Sequence, residues 1–272
     1  MKIGIFDSGV GGLGVFGRLY QYSEAHGVPV ELLYLGDTLR APYGEKTIEE
    51  VAHYVRLGLE LLHDMGAQSV ALACNTAYVA LYHQNDPIIG NSRLVTPISF
   101  AVDEVVALSA RRVAVLSTKI TSDSKLYTRA IQELSPDTEV FEYACPGLVR
   151  LIEQGEITGE VVRAEIIASL AKLERSDMDA IVLGCTHFSL VTETIEEVVG
   201  PSIRIVDGVV GMINQIFSQL SPSDRGTAGA RNRMMVTGNP VQFGLISQRL
   251  FGVDPGSIEQ VLLDATLRVA EC

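Results

Sequence analysis

Val70-Ala71-Leu72-Ala73-Cys74-Asn75-Thr76-Ala77 decides how the chain is read. An apolar run of strand length ends on a cysteine, and small polar residues follow where a helix would begin. The same order returns at Ile181-Val182-Leu183-Gly184-Cys185-Thr186-His187-Phe188. Short buried strands alternating with helices imply an α/β fold with mainly parallel sheets and right-handed crossovers. In such sheets ligands sit beyond the carboxyl ends of the strands, which is where Cys74 and Cys185 fall.

Further strands are expected on either side of these two. Lys2–Phe6, Val30–Leu35 and Gln68–Cys74 form one set; Arg112–Leu116, Thr138–Cys145 and Asp179–Gly184 form another. Ser117-Thr118 lies 110 residues after Asp7-Ser8, and Cys185 lies 111 after Cys74. A nearly constant offset over three strands predicts a pseudo-duplicated α/β unit. Thr47 and Glu50 form a capping box for a helix to about Met65, with Val51, Val55, Leu59 and Leu62 at helical spacing. Helices are also expected at Asn75–His83, Phe100–Ala110 and Glu160–Leu173, with a loop at 87–97 broken by a short apolar return at Leu94-Val95. Beyond Asp207 come a helix (Val209–Leu220), a polar loop (221–233), a strand (Met234–Thr237), a helix (Val241–Phe251) and a last strand (Ser257–Leu263). That tail is too small for a third domain and is expected to return to the first. The expectation is therefore two similar domains facing across a cleft, residues 1–97 plus 208–272 and residues 98–207.

Bulk properties narrow the function. At 272 residues, 47% hydrophobic and 20% charged, the chain can bury a sizeable core. Its net charge of −12 argues against nucleic-acid and anionic-membrane partners, while still allowing a small acidic ligand held by backbone N–H groups. The first apolar run stops at Asp7, too short for a signal core or a membrane span. Cys74, Cys145, Cys185 and Cys272 lie far apart, which favours reduced thiols and a cytoplasmic location. Cys145 and Cys272 have no chemical context and read as incidental; His53 and His63 read as surface positions.

Gly9-x-Gly11-x-x-Gly14 follows the first strand and matches a dinucleotide fingerprint, with Asp37 ending the next strand where a ribose-binding acid belongs. A nicotinamide-dependent dehydrogenase is thus one reading, and a non-catalytic amino-acid-binding protein another. Pro42-Tyr43-Gly44 marks a turn after Asp37.

The cysteines themselves admit four readings. They could be buried packing residues, part of a metal site poorly served by the spacing of Cys185 and His187, or a single nucleophile with a histidine. The fourth uses both thiols: one removes a proton from a stereocentre while the other delivers a proton to the opposite face. A helix N-terminus favours the thiolate. His187 could tune Cys185, and Asp7 could do likewise for Cys74, raising its pKa and strengthening the base that does form.

The set Gly4-Ile5-Phe6-Asp7-Ser8-Gly9-Val10-Gly11-Gly12-Leu13, Asp37 with Pro42-Tyr43-Gly44, Cys74-Asn75-Thr76-Ala77, Cys145-Pro146 with Glu153, and Gly184-Cys185-Thr186-His187 resembles the glutamate racemases of the aspartate/glutamate racemase superfamily. The resemblance implies two α/β domains and interconversion of L- and D-glutamate with no cofactor and no metal, supplying D-glutamate for peptidoglycan. A homodimer is the implied assembly. Carried over by motif, Cys74 and Cys185 would be the opposed acid/base pair, assisted by Asp7, Glu153 and His187. Ser8, Tyr43, Gly44, Asn75, Thr76, Thr118 and Thr186, with Asp7 and His187, would bind substrate. The chain departs from the family pattern at Arg150, Phe188, Ser189, Gly208 and Asn239.

Overall fold

The structure is a computed structural model that describes residues 1–84, 93–171, 178–219, 232–251 and 257–263. In chain order it begins β1 (Lys2–Asp7), α1 (Gly12–His26), β2 (Glu31–Gly36), a 3-10 turn (Tyr43–Glu45), α2 (Ile48–Asp64), β3 (Ser69–Leu72), α3 (Asn75–His83) and β4 (Arg93–Val95). Next come α4 (Pro97–Ala107), β5 (Arg112–Ser117), α5 (Lys119–Ser124), α6 (Leu126–Leu134), β6 (Glu139–Ala144), α7 (Pro146–Glu153), α8 (Glu160–Leu170) and β7 (Ala180–Gly184). A second 3-10 turn (Thr186–Val191), α9 (Thr192–Val199), β8 (Arg204–Val206), α10 (Val209–Ser218), β9 (Arg233–Val236), α11 (Pro240–Phe251) and β10 (Ile258–Gln260) complete it.

The strands form two sheets, ordered β10-β9-β2-β1-β3-β4 and β6-β5-β7-β8, and every pairing is parallel. The run β2-β1-β3-β4 and the run β6-β5-β7-β8 have the same order, as a duplicated unit requires. The central strands β1, β3, β5 and β7 are buried along nearly their whole length, which explains their unbroken apolar sequences: helices cover both faces. β9 and β10 extend the first sheet on its β2 edge.

Local signals explain most elements. Thr47 caps α2, accepting from the Glu50 N–H at 3.2 Å, while the Glu50 carboxylate accepts from the Thr47 N–H at 2.9 Å. Val51, Val55, Leu59 and Leu62 are buried along one face of that helix. Three expectations are corrected. α4 starts at Pro97 rather than Phe100, because Pro97 fits the first helical turn, and it stops at Ala107. β3 and β10 are shorter than their apolar runs. After Cys185 the chain enters a 3-10 turn, not an α-helix, and α9 begins only at Thr192. The expected loop at 221–233 falls largely, and Cys272 wholly, outside the described residues. None of the described helices is long and apolar enough to cross a membrane.

The buried side chains divide into two apolar clusters, and each draws on both sheets. One holds Ile3, Ile5, Ile181 and Leu183; the other holds Phe6, Leu35, Val113 and Val182. The chain passes between the sheets at residues 96–97 and again at 207–208, and the two passages touch. A Cβ on Gly208 would overlap the carbonyl oxygen of Pro97 and lie 2.9 Å from the Ala101 nitrogen. Both obstacles are backbone, so neither can swing aside. This close approach accounts for Gly208. Gly208→Ala should destabilise the protein by about 1–3 kcal/mol, the usual cost of overpacking, and lower the midpoint of urea unfolding. An unchanged midpoint would contradict the contact.

Candidate functional site

Asp7 ends β1, Cys74 lies two residues beyond β3 and caps α3, Ser117 ends β5, and Cys185 follows β7. These are equivalent positions in the two sheets, and the side chains around them meet. Both cysteines are only 6% exposed. The Cys74 thiol donates to Ser8 Oγ at 3.6 Å. Burial pushes this thiol up to about 12; the Asp7 charge adds to the effect, and hydrogen bonding with Ser8 and the Ala77 N–H opposes it. The N–H at the start of α3 thus favours the thiolate, as a helix N-terminus should, but burial outweighs it, and Asp7 acts in the expected upward direction.

Across the site, the Cys185 sulfur lies 3.5 Å from His187 Nδ1, and His187 Nε2 lies 2.5 Å from Glu153 Oε1. Burial opposes charge on this imidazole, but the Cys185 sulfur and the Glu153 carboxylate together outweigh it and raise the histidine well above its ordinary pKa. The same Glu153 oxygen accepts from the Val10 N–H at 3.1 Å. Glu153 closes α7 and the Val10 loop follows β1, so one carboxylate joins the two halves.

Asp7 is fully buried, and burial raises its pKa; His187, the Gly9 N–H and Thr186 act in the other direction. Its carboxylate accepts from the Gly9 N–H at 2.9 Å and from Thr186 Oγ1 at 3.0 Å. Thr76 and Thr118 share a hydroxyl bond of 2.8 Å, and Gly44 packs on Thr118 so closely that a Cβ would lie 2.8 Å from the threonine Cβ. Tyr43 is buried, and its hydroxyl donates to Asp37 at 2.5 Å. Asn75 receives a hydrogen bond on Oδ1 from Tyr127 at 2.9 Å. All the residues singled out from sequence thus gather around the strand ends, although Tyr43 spends its proton on Asp37.

Several contributors carry no sequence signal. Tyr127 reaches Asn75 over 52 positions; Tyr34 donates to the Gly9 carbonyl at 2.5 Å; Thr121 Oγ1 accepts from the Thr118 hydroxyl at 3.1 Å. Packing of α3 against the second half brings Tyr127 to Asn75, the pairing of β2 with β1 brings Tyr34 to Gly9, and the start of α5 sets Thr121 beside Thr118.

The glycine loop has a different use from the one its fingerprint suggests. A Cβ on Gly9 would overlap the Glu153 carboxylate, and one on Gly11 would stand 2.7 Å from Thr186 Oγ1 and 2.8 Å from His187 Nδ1. The space a dinucleotide pyrophosphate would need is taken by the second half of the chain. Asp37 is equally unavailable to a ribose, being fully buried and bonded to Arg40, Tyr43 and Thr237. Among the described residues, no group of three or more His, Cys, Asp and Glu is placed to hold a metal.

The departures from the family pattern also find places. Arg150 donates to Glu45 through Nε at 3.1 Å and Nη2 at 2.6 Å, an exposed ion pair between α7 and the Tyr43–Glu45 turn. Phe188 is fully buried in the core. Asn239 caps α11, accepting from the N–H groups of Val241 and Gln242. Ser189 has a buried hydroxyl with no partner among the described residues, and nothing in the structure explains it.

The model of the Asp/Glu/hydantoin racemase family matches residues 4–216. The chain is 36% identical over 249 residues to a glutamate racemase of Gloeobacter violaceus, covering 89% of each chain. It is 31% identical over 264 residues to one of Thermoanaerobacter sp., covering 96% of each. A solved glutamate racemase of Francisella tularensis, in complex with D-glutamate, superposes with a TM-score of 0.84 at 25% identity, over 97% of this chain and 98% of that one.

The His187 environment makes a direct prediction. The Glu153 charge and its hydrogen bond both favour the imidazolium, so Glu153→Gln should move the His187 titration to lower pH. Histidine C2–H resonances followed against pH, assigned with a His187→Gln control, would show it. A His187 titration that Glu153→Gln leaves in place would contradict the contact.

Proposed function

Because the chain belongs to the Asp/Glu/hydantoin racemase family and is a racemase, an isomerase, we propose that it interconverts L- and D-glutamate by proton transfer at Cα between Cys74 and Cys185. The single observation that carries this reading is the pair of buried thiols at equivalent strand ends, each with its own polar partner. One sulfur, as thiolate, takes the α-proton; the electron pair left on Cα accepts a proton from the opposite thiol. The product has inverted configuration, and the two sulfurs have exchanged protonation states. Two bases are needed because a single group that returned its proton to the same face would restore the starting isomer.

The surroundings support a division of labour. Asp7, beside Cys74, makes negative charge on that sulfur costly. A bound substrate ammonium would offset that repulsion, so the base forms when substrate arrives. His187, held between Cys185 and Glu153, can return a proton to Cys185 or take one from it. Ser8, Gly44, Asn75, Thr76, Thr118 and Thr186 would hold the two carboxylates and the ammonium with hydroxyls, an amide and backbone N–H groups, and Tyr43 would flank them. Such neutral donors can grip a carboxylate without placing a fixed cation beside the thiols.

Sulfurs this buried require the two halves to part before substrate enters. We take residues 1–97 with 208–272 and residues 98–207 as the two bodies that do so. The glycine loop packed on Glu153 and His187 would be the surface that opens. In keeping with the family, the D-glutamate would serve peptidoglycan synthesis in the cytoplasm, where the free state of Cys74, Cys145 and Cys185 is stable. A homodimer is the assembly we favour, supported by exposed Val241 and Leu245 one turn apart on α11.

Incubation with L-glutamate in D₂O should bring deuterium into Cα and optical rotation towards zero. Cys74→Ala and Cys185→Ala should each lose racemisation by at least about 10²–10⁴-fold, the usual worth of a positioned acid or base. No exchange with the intact protein would sink the assignment, and full activity in either variant would sink the two-thiol scheme.

A further inference from the structure

Asn75 follows Cys74 directly and opens α3, so the direction of its amide determines what the neighbourhood of that thiol offers a ligand. A side-chain amide presents an acceptor on one side and two donors on the other. Tyr127 settles which side faces where, because its phenol donates to Asn75 Oδ1 at 2.9 Å. We propose that Tyr127 is a positioning residue: it holds the Asn75 oxygen so that the amide N–H groups face the ligand, committing that corner of the site to a carboxylate rather than an ammonium. The proposal rests on the glutamate reading above.

Three features suit Tyr127 to this role. Its ring is almost wholly buried in the second core cluster, so the hydroxyl has little freedom to leave Asn75. The first turn of α6 that carries it is tied down on both sides. Thr128 donates to Glu142 Oε1 through its N–H at 3.0 Å and its hydroxyl at 2.6 Å, and the Leu126 N–H donates to Ser124 Oγ at 3.1 Å. Finally, the contact crosses between the halves, since α3 follows the first sheet's β3 and α6 runs between β5 and β6 of the second. The amide is therefore aimed only when the two halves are together, which couples carboxylate recognition to closure.

The experiment compares Tyr127→Phe, Asn75→Ala and the double variant by glutamate racemisation in both directions. Tyr127→Phe removes one oxygen and keeps the ring. A neutral hydrogen bond of this kind is worth roughly three- to tenfold, and that rise is expected in KM with kcat changed much less. The added Tyr127→Phe change should have almost no further effect in the Asn75→Ala background, because its action passes through the amide. A kcat loss at unchanged KM, or the same KM penalty in both backgrounds, would overturn the proposal. Racemisation by the intact protein is the internal control for the glutamate reading. Should that control fail, the Asn75 side-chain ¹⁵N–¹H pair still decides: Tyr127→Phe should shift or broaden it in the ligand-free protein, and an unmoved pair overturns the proposal.

Discussion

One oxygen of Glu153 serves two masters. It accepts the Val10 N–H, from the loop after β1, and it contacts His187 Nε2, beyond β7. The approach is possible only because Gly9 and Gly11 carry no side chain, and any Cβ there would strike Glu153, Thr186 or His187. His187 in turn contacts Cys185, while Thr186 holds Asp7, whose charge bears on Cys74. Both thiols are thus conditioned through a single tight seam between two glycines and a carboxylate. Loosening the seam would change both sides of the site together.

The repeat explains the placement of the thiols, and its imperfections explain their differences. Equal strand order puts Cys74 and Cys185 at matching ends. Cys74 then opens an α-helix, with a hydroxyl as its nearest polar partner, whereas Cys185 opens a 3-10 turn that brings His187 back on to the sulfur. Asymmetry of chemistry follows from a small difference in local backbone, laid over a common frame.

Much of this was legible in the sequence, for physical reasons. Strands buried on both faces announce themselves as unbroken apolar runs, and Thr47 with Glu50 names a helix start by its hydrogen bonds alone. The cysteines could be paired because the same strand–cysteine–polar order occurs twice; His187 followed by its nearness to Cys185 in the chain, Asp7 by its place at the end of the first strand, and Glu153 only through family resemblance. What escaped lacked local pattern. α5 is a run of Lys, Thr, Ser and Asp with one buried isoleucine, and it is separated from α6 by Lys125 in a left-handed conformation. β8 is three residues long. Tyr127 and Tyr34 act over 52 and 25 positions, and nothing in their own surroundings marks the far partner.

The order of strands has a consequence for how the protein is made. β5, β6, β7 and β8 follow one another along the chain, so their sheet is complete once Val206 has been synthesised. The sheet that starts at Lys2 must wait for β9 and β10, and until then the β2 edge has no neighbour on that side. On the ribosome, the half that emerges first is therefore the half that finishes last. Its unpaired edge carries Leu32-Leu33-Tyr34-Leu35 and is exposed to wrong partners throughout elongation of the intervening residues. Protection of that edge during synthesis is a demand the topology places on the cell, quite apart from catalysis.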